Sequence, residues 1–207
     1  MIPALAFVGK QNSGKTTLLV QVIAELVSRG VHVGTIKHHS HSGFEFDIEG
    51  KDSWRHRQAG SSYSVVAAPD QIACVRRLSE ELSVEQIIAE MSWVSEIAAQ
   101  GGTSLDSDFD DAPSSDSPGE QGAPPLDLIL VEGYRHSSLP TIELFRAANP
   151  KDQERNLGGE GNAIVAVVTD QSRIVEQATT AGLPTFAFED ITALATFILS
   201  RSSITAH

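Results

Sequence analysis

The segment Gly9-Lys10-Gln11-Asn12-Ser13-Gly14-Lys15-Thr16 constrains this chain more than any other. It satisfies G-x-x-x-x-G-K-[ST] at every fixed position, a match that arises by chance on the order of once per hundred chains of this length. Its flanks narrow the choice further. Residues 2–8 form a short continuous apolar run, as in a strand buried on both faces of a parallel sheet. Leu18, Leu19, Val22, Ile23, Leu26 and Val27 then recur at helical spacing, and Gly30 supplies a stop. Strand, glycine-framed turn and helix are the arrangement in which backbone N–H groups and a helix N-terminus point at a bound anion. Gly9 and Gly14 let the backbone approach phosphate oxygens, and the amides of Gln11, Asn12, Ser13 and Thr17 complete the cradle. Lys15 is suited to the β- and γ-phosphates as a point charge, and the Thr16 hydroxyl to Mg²⁺. Lys15 is expected to be solvated while the site is empty, so that Lys15→Ala should abolish nucleotide binding and spare the fold.

Further strands are predicted over residues 31–36, 64–68, 72–75, 126–131, 141–145, 163–168 and 184–188, and helices over 84–93, 171–180 and 191–200. This alternation predicts one α/β domain over residues 1–207, a P-loop NTPase-like three-layer sandwich. Its sheet should be mostly parallel with helices on both faces, and its ligand should sit at the carboxyl ends of the strands. Residues 101–125 interrupt the pattern with Gly, Ser, Asp and Pro. They carry six acidic residues and no Lys or Arg, half of the formal charge of −12. Such a segment cannot bury enough apolar surface to order itself, so a disordered insertion is predicted, serving as a solvated loop or an interaction tail.

The negative balance excludes a protein that coats nucleic acid or an anionic membrane, because both require a basic face. Apolar runs fall far short of the ~20 residues of a membrane span. The single cysteine, Cys74, cannot form an internal disulfide, and no secretory leader pattern opens the chain, so the cytosol is the expected compartment. Cys74 stands among apolar residues and is expected to pack in a core.

Mg²⁺ prefers hard oxygen ligands and keeps several waters, so a phosphate site needs a carboxylate nearby. Glu132, at the end of the strand over 126–131, is the first candidate, and Asp47, in the loop after the second strand, is another. Asp127 lies at the wrong end of its strand. Residues 35–60 are dense in His, Lys, Arg and Asp. Lys37, His38, Lys51, Arg55 and Arg57 could line a second anion-accepting surface beside the nucleotide. His38, His39 and His41 could instead hold a transition metal, although adjacent residues of an extended segment point to opposite sides. A basic, solvated loop is a third reading. Asp170 could accept the guanine N1–H and N2–H₂ donors, or it could cap the helix that begins near Gln171.

Residues 35–60, with Gly50-Lys51-Asp52-Ser53 and Arg55-His56-Arg57-Gln58-Ala59-Gly60, join residues 9–16 and Leu128-Ile129-Leu130-Val131-Glu132-Gly133-Tyr134 in a combination that resembles the MobB family. Residues 140–146 and 166–170 also look like later segments of that family, and only 101–125 stands outside the likeness. The chain departs from the family pattern at Glu49, commonly proline, and at Glu45, commonly aspartate. The resemblance implies a GTP-binding adaptor of molybdopterin-guanine dinucleotide biosynthesis. It implies GTP held with Mg²⁺, weak hydrolysis, a homodimer whose sheets associate, and partnership with the guanylyltransferase MobA and through it molybdopterin. Two other classes share the cradle. One is a small-molecule phosphotransferase using Lys51, Arg55 and Arg57; the other is a nickel-delivering GTPase, which should pair a cysteine with histidine.

Overall fold

The computed structural model describes residues 1–39, 43–99, 124–158 and 163–202. The insertion read over 101–125 therefore falls, except for Pro124 and Pro125, outside the described residues, as does His41. The chain divides into two units, Met1–His38 with Val84–His207, and His39–Ser83.

The first unit opens with β1 (Ala4–Val8), followed by the glycine-framed turn, α1 (Lys15–Ser28) and β2 (Val33–Lys37). The second unit supplies α2 (Asp52–Gln58), β3 (Tyr63–Ala68) and β4 (Gln71–Arg76). The first unit resumes with α3 (Val84–Ala99), β5 (Leu128–Glu132), β6 (Pro140–Phe145), α4 (Pro150–Gln153), β7 (Ala163–Thr169), α5 (Ser172–Thr180), β8 (Thr185–Phe186) and α6 (Ile191–Ser202). Arg29 caps α1, and Gly30 leaves it at φ 82°, the left-handed conformation that the predicted stop requires.

Six strands form one sheet in the order β2-β5-β1-β6-β7-β8, and every pairing in it is parallel. Parallel neighbours need crossovers, and the crossovers place helices on both faces. Alternate residues of the strands divide accordingly. Leu5, Phe7, Leu128, Leu130, Ile142 and Leu144 pack with α1 and α6 on one face. Ala6, Val8, Ile129 and Val131 pack with α3 on the other, where Phe145 and Val167 meet α5. Strands buried on both sides must be apolar at every position, which is why these segments read as continuous runs. The fold is the mostly parallel three-layer α/β sandwich expected from the alternation.

The second unit departs from that expectation. β3 and β4 pair antiparallel, from Tyr63↔Arg76 to Ala68↔Gln71, in a separate two-stranded sheet. Only Pro69 and Asp70 connect them, too few residues for a parallel crossover. Cys74, expected in a core, is exposed on this hairpin. No helix among the described residues is long and apolar enough to cross a membrane.

Candidate functional site

β1 lies between β5 and β6, so the turn that leaves it emerges at the carboxyl edge of the sheet with neighbouring strand ends on both sides. The turn holds itself in shape. Ser13 is fully buried, and its hydroxyl donates to the Lys10 carbonyl at 2.7 Å while its amide donates to the same oxygen at 3.2 Å. Asn12 and Gly14 adopt positive φ, 68° and 83°, turning the chain sharply before α1 begins. Gly9 is required for a different reason: a Cβ there would meet Ser13 Oγ at 2.5 Å and the Leu144 carbonyl at 3.1 Å.

Lys15 corrects the sequence expectation. Its ammonium is only partly solvated: it donates to the Gly9 carbonyl at 2.9 Å and the Lys10 carbonyl at 2.7 Å, folding back over the turn. Its pKa is lowered, first by desolvation; Glu132 opposes this, Arg135 adds to it, and Asp152 and Arg155 act in smaller measure in opposite senses. The lysine is thus partly withdrawn from water, with two neutral carbonyls as its hydrogen-bond acceptors among the described residues.

Thr16 and Glu132, 116 residues apart, meet directly: the threonine hydroxyl donates to Glu132 Oε1 at 2.8 Å. Parallel pairing of β1 with β5, in which Phe7 is opposite Glu132, brings the carboxylate to the base of the turn. Glu132 is 9% exposed, so it is a buried strand-end carboxylate rather than a surface one. Lys37 Nζ lies 3.5 Å from its other oxygen. Gly133, at φ 104°, passes so close to His38 that a Cβ would stand 2.9 Å from the histidine Cβ. The His38 ring packs on Tyr134 at 4.4 Å between centroids, and the His38 amide donates to the Glu132 carbonyl. The hydroxyl and carboxylate are the hard oxygens that Mg²⁺ takes, few enough that phosphate and water would fill its remaining positions. Among the described residues no cluster of three or more His, Cys, Asp or Glu side chains could hold a metal.

Several contributors escaped the sequence reading. Arg135 donates to the Gly9 carbonyl at 2.8 Å. Asn149 Nδ2 donates to the Gln11 carbonyl at 3.1 Å and to Asp152 at 2.7 Å, and Lys151 Nζ reaches Gln11 Oε1 at 3.1 Å. The Asn149-Pro150 pair was a legible signal: Asn149 caps α4 and Pro150 stands in its first turn. Asp170 does not cap α5, whose N-cap is Gln171. Its Oδ1 accepts the Ala147 amide at 2.5 Å and its Oδ2 lies 3.5 Å from Arg146 Nε.

The remaining candidates lie in the second unit. Lys51 is the N-cap of α2, and Arg55 is an exposed residue of that helix 3.9 Å from Asp52. Asp47 is engaged locally, accepting the Ile48 amide at 2.9 Å and standing 3.7 Å from Arg57 Nε. Arg57 is buried and donates to Glu45 at 2.6 Å. That burial removes Arg57 from any anion-accepting surface; it is the structural centre of its loop.

An all-parallel sheet whose central strand ends in this glycine-framed turn, with Lys15 and Thr16 opening the next helix, defines a P-loop type α/β protein. Within that class the chain belongs to the MobB family, described as molybdopterin guanine dinucleotide synthesis protein B, whose family model matches residues 4–105 and 96–170. The molybdopterin-guanine dinucleotide biosynthesis adapter protein of Haemophilus influenzae is 34% identical over 145 residues, 70% of this chain and 64% of that protein. The chain thus spans just under two thirds of that relative. The adapter protein of the same description from Escherichia coli is 34% identical over 148 residues, 70% of this chain and 67% of the relative. The crystal structure of Bacillus subtilis MobB superposes with a TM-score of 0.65 at 22% identity, covering 97% of this chain and 98% of that one.

Proposed function

We propose that this chain is a GTP-binding adapter of molybdopterin-guanine dinucleotide biosynthesis, holding GTP with Mg²⁺, hydrolysing it weakly and assisting a MobA-type guanylyltransferase. The family supports the pathway, and the observation that carries the nucleotide reading is the Thr16–Glu132 contact beside the folded-back Lys15. When a triphosphate enters, Lys15 exchanges the Gly9 and Lys10 carbonyls for phosphate oxygens, and the turn amides and α1 N-terminus receive the rest of the charge. Thr16 and Glu132 would hold Mg²⁺, which supplies charge neutralisation of the β- and γ-phosphates. Arg135, already bonded to the Gly9 carbonyl, keeps the entry to the turn in shape.

Catalysis of phosphoryl transfer to a small acceptor is the weaker reading. It relied on Lys51, Arg55 and Arg57, and Arg57 is committed to Glu45. A nickel-delivering role finds no support in the exposed Cys74, since the described residues hold no ligand cluster. Association into a homodimer is supported by the hairpin, where Tyr63, Val65, Val66 and Ile72 are exposed apolar residues of a sheet too small to be stable by itself. A cytoplasmic site of action follows from the same proposal.

Titration calorimetry with GTP and ATP, each with Mg²⁺ and with EDTA, tests the reading. GTP–Mg²⁺ should bind most tightly, and Thr16→Ala and Glu132→Gln should each remove the Mg²⁺ dependence. Binding that is indifferent to Mg²⁺ in the unaltered protein would refute the assigned roles of both residues.

A further inference from the structure

Beside the phosphate-facing turn, the first unit holds a cleft of about 420 Å³. Its wall runs from Asn12 and Gly14 along α1 at Thr17 and Gln21 to Arg146, Phe188 and Glu189. The volume falls in the ~300–1,000 Å³ range of small-ligand pockets. Two features distinguish it from an ordinary groove. The Arg146 guanidinium lies over the Phe188 ring, 4.2 Å from its centroid, so a planar cation and an aromatic ring form a stacked pair. That pair abuts the cradle, because a Cβ on Gly14 would meet Phe188 Cε1 at 3.4 Å.

The carboxylates around the cleft differ in what they are free to do. Asp170 does not line it; one oxygen accepts the Ala147 amide and the other faces Arg146 Nε at 3.5 Å. Both of its oxygens face partners within the protein, and one of those partners is the guanidinium. Glu189 does line the cleft, and it is exposed. A carboxylate there can accept the N1–H and N2–H₂ of guanine together, whereas adenine would turn a lone pair toward it at N1.

Resting on the GTP-binding reading, we propose that this cleft seats the nucleoside: the base stacks on the Phe188–Arg146 pair, Glu189 selects guanine, and Asp170 is a positioning residue for Arg146. The assignment moves base selection from the end of β7 to the loop after β8.

Calorimetry with GTP, ATP and inorganic tripolyphosphate, each with Mg²⁺, tests it on the full chain. The unaltered protein should prefer GTP to ATP by about ten- to a hundredfold, the discrimination of a good bidentate contact. Glu189→Gln should bring that ratio close to one, and Phe188→Ala should weaken both nucleotides on the order of tenfold, the effect of losing a base–aromatic stack. Asp170→Asn should weaken GTP and ATP alike and keep their ratio. Tripolyphosphate, which has no base, should bind all of these variants equally, which also reports that each is folded. A ratio that survives Glu189→Gln but collapses in Asp170→Asn would overturn the assignment while leaving the phosphate cradle intact. Failure of the unaltered protein to bind either tripolyphosphate or a nucleotide would instead bring down the GTP-binding reading, and this assignment with it.

Discussion

The six-stranded sheet and the β3–β4 hairpin are built from similar residues and have opposite fates. Leu5, Ala6, Phe7 and Val8 of β1 are all buried, whereas in the hairpin Val66 is 51% and Ile72 74% exposed. The difference lies in the connections. Parallel strands need crossovers, and in the first unit most of these carry helices, which cover both faces. The hairpin closes through Pro69 and Asp70 and brings no helix with its turn. Apolar strands of the first kind make a core; those of the second make a surface that another sheet can cover.

That contrast can be broken by substitution. Phe7→Ala, at a position without exposure in the middle of the sheet, should cost about 3–5 kcal/mol through lost burial and the cavity left behind, measured by urea denaturation. A loss under about 1 kcal/mol would mean that the sheet is not the packed centre of its unit. Val66→Asp combined with Ile72→Asp should change the stability of the chain far less, about 1 kcal/mol or below per substitution, as is usual at exposed positions. If the proposed homodimer forms through the hairpin, light scattering should nevertheless show it fall to monomer. A dimer that persists would locate the self-association elsewhere.

The smallest expected effect is a pH dependence. Lys15 has a lowered pKa in the folded chain and its ordinary value of 10.5 when unfolded. Between those two values the unfolded chain binds more protons, so stability rises with pH across the window. The cost of holding the charged lysine is complete below the folded pKa and is relieved as pH climbs to 10.5. Thermal melting of the original protein and Lys15→Met should therefore diverge in favour of the original as pH rises through that window. Parallel curves would show that the ammonium is not desolvated in the turn.

Much of the fold was legible because two-sided burial forces continuous apolar runs, and the runs ending at Val8 and Val131 announced the central strands together with the turn and carboxylate that follow them. The Thr16–Glu132 meeting could be anticipated on the same ground, since both follow from strand ends at one edge. Cys74 was misjudged because an apolar run does not reveal whether its neighbours are paired by a crossover or by a two-residue turn. Arg57 was misjudged because local composition cannot show that Glu45 and Asp47 close on it. Arg146 and Phe188 stayed out of sight for a related reason: they lie 42 residues apart in the chain, and only the order β6-β7-β8 brings their loops together.

Under the proposed function, the turn over residues 9–16 receives the triphosphate of GTP through Lys15. Titration of GTP–Mg²⁺ into the original protein and Lys15→Ala at neutral pH tests this most directly. Saturable binding by the first and none detectable by the second, with both folded by circular dichroism, is the result expected of the proposed function. Equal affinity in the two would contradict it.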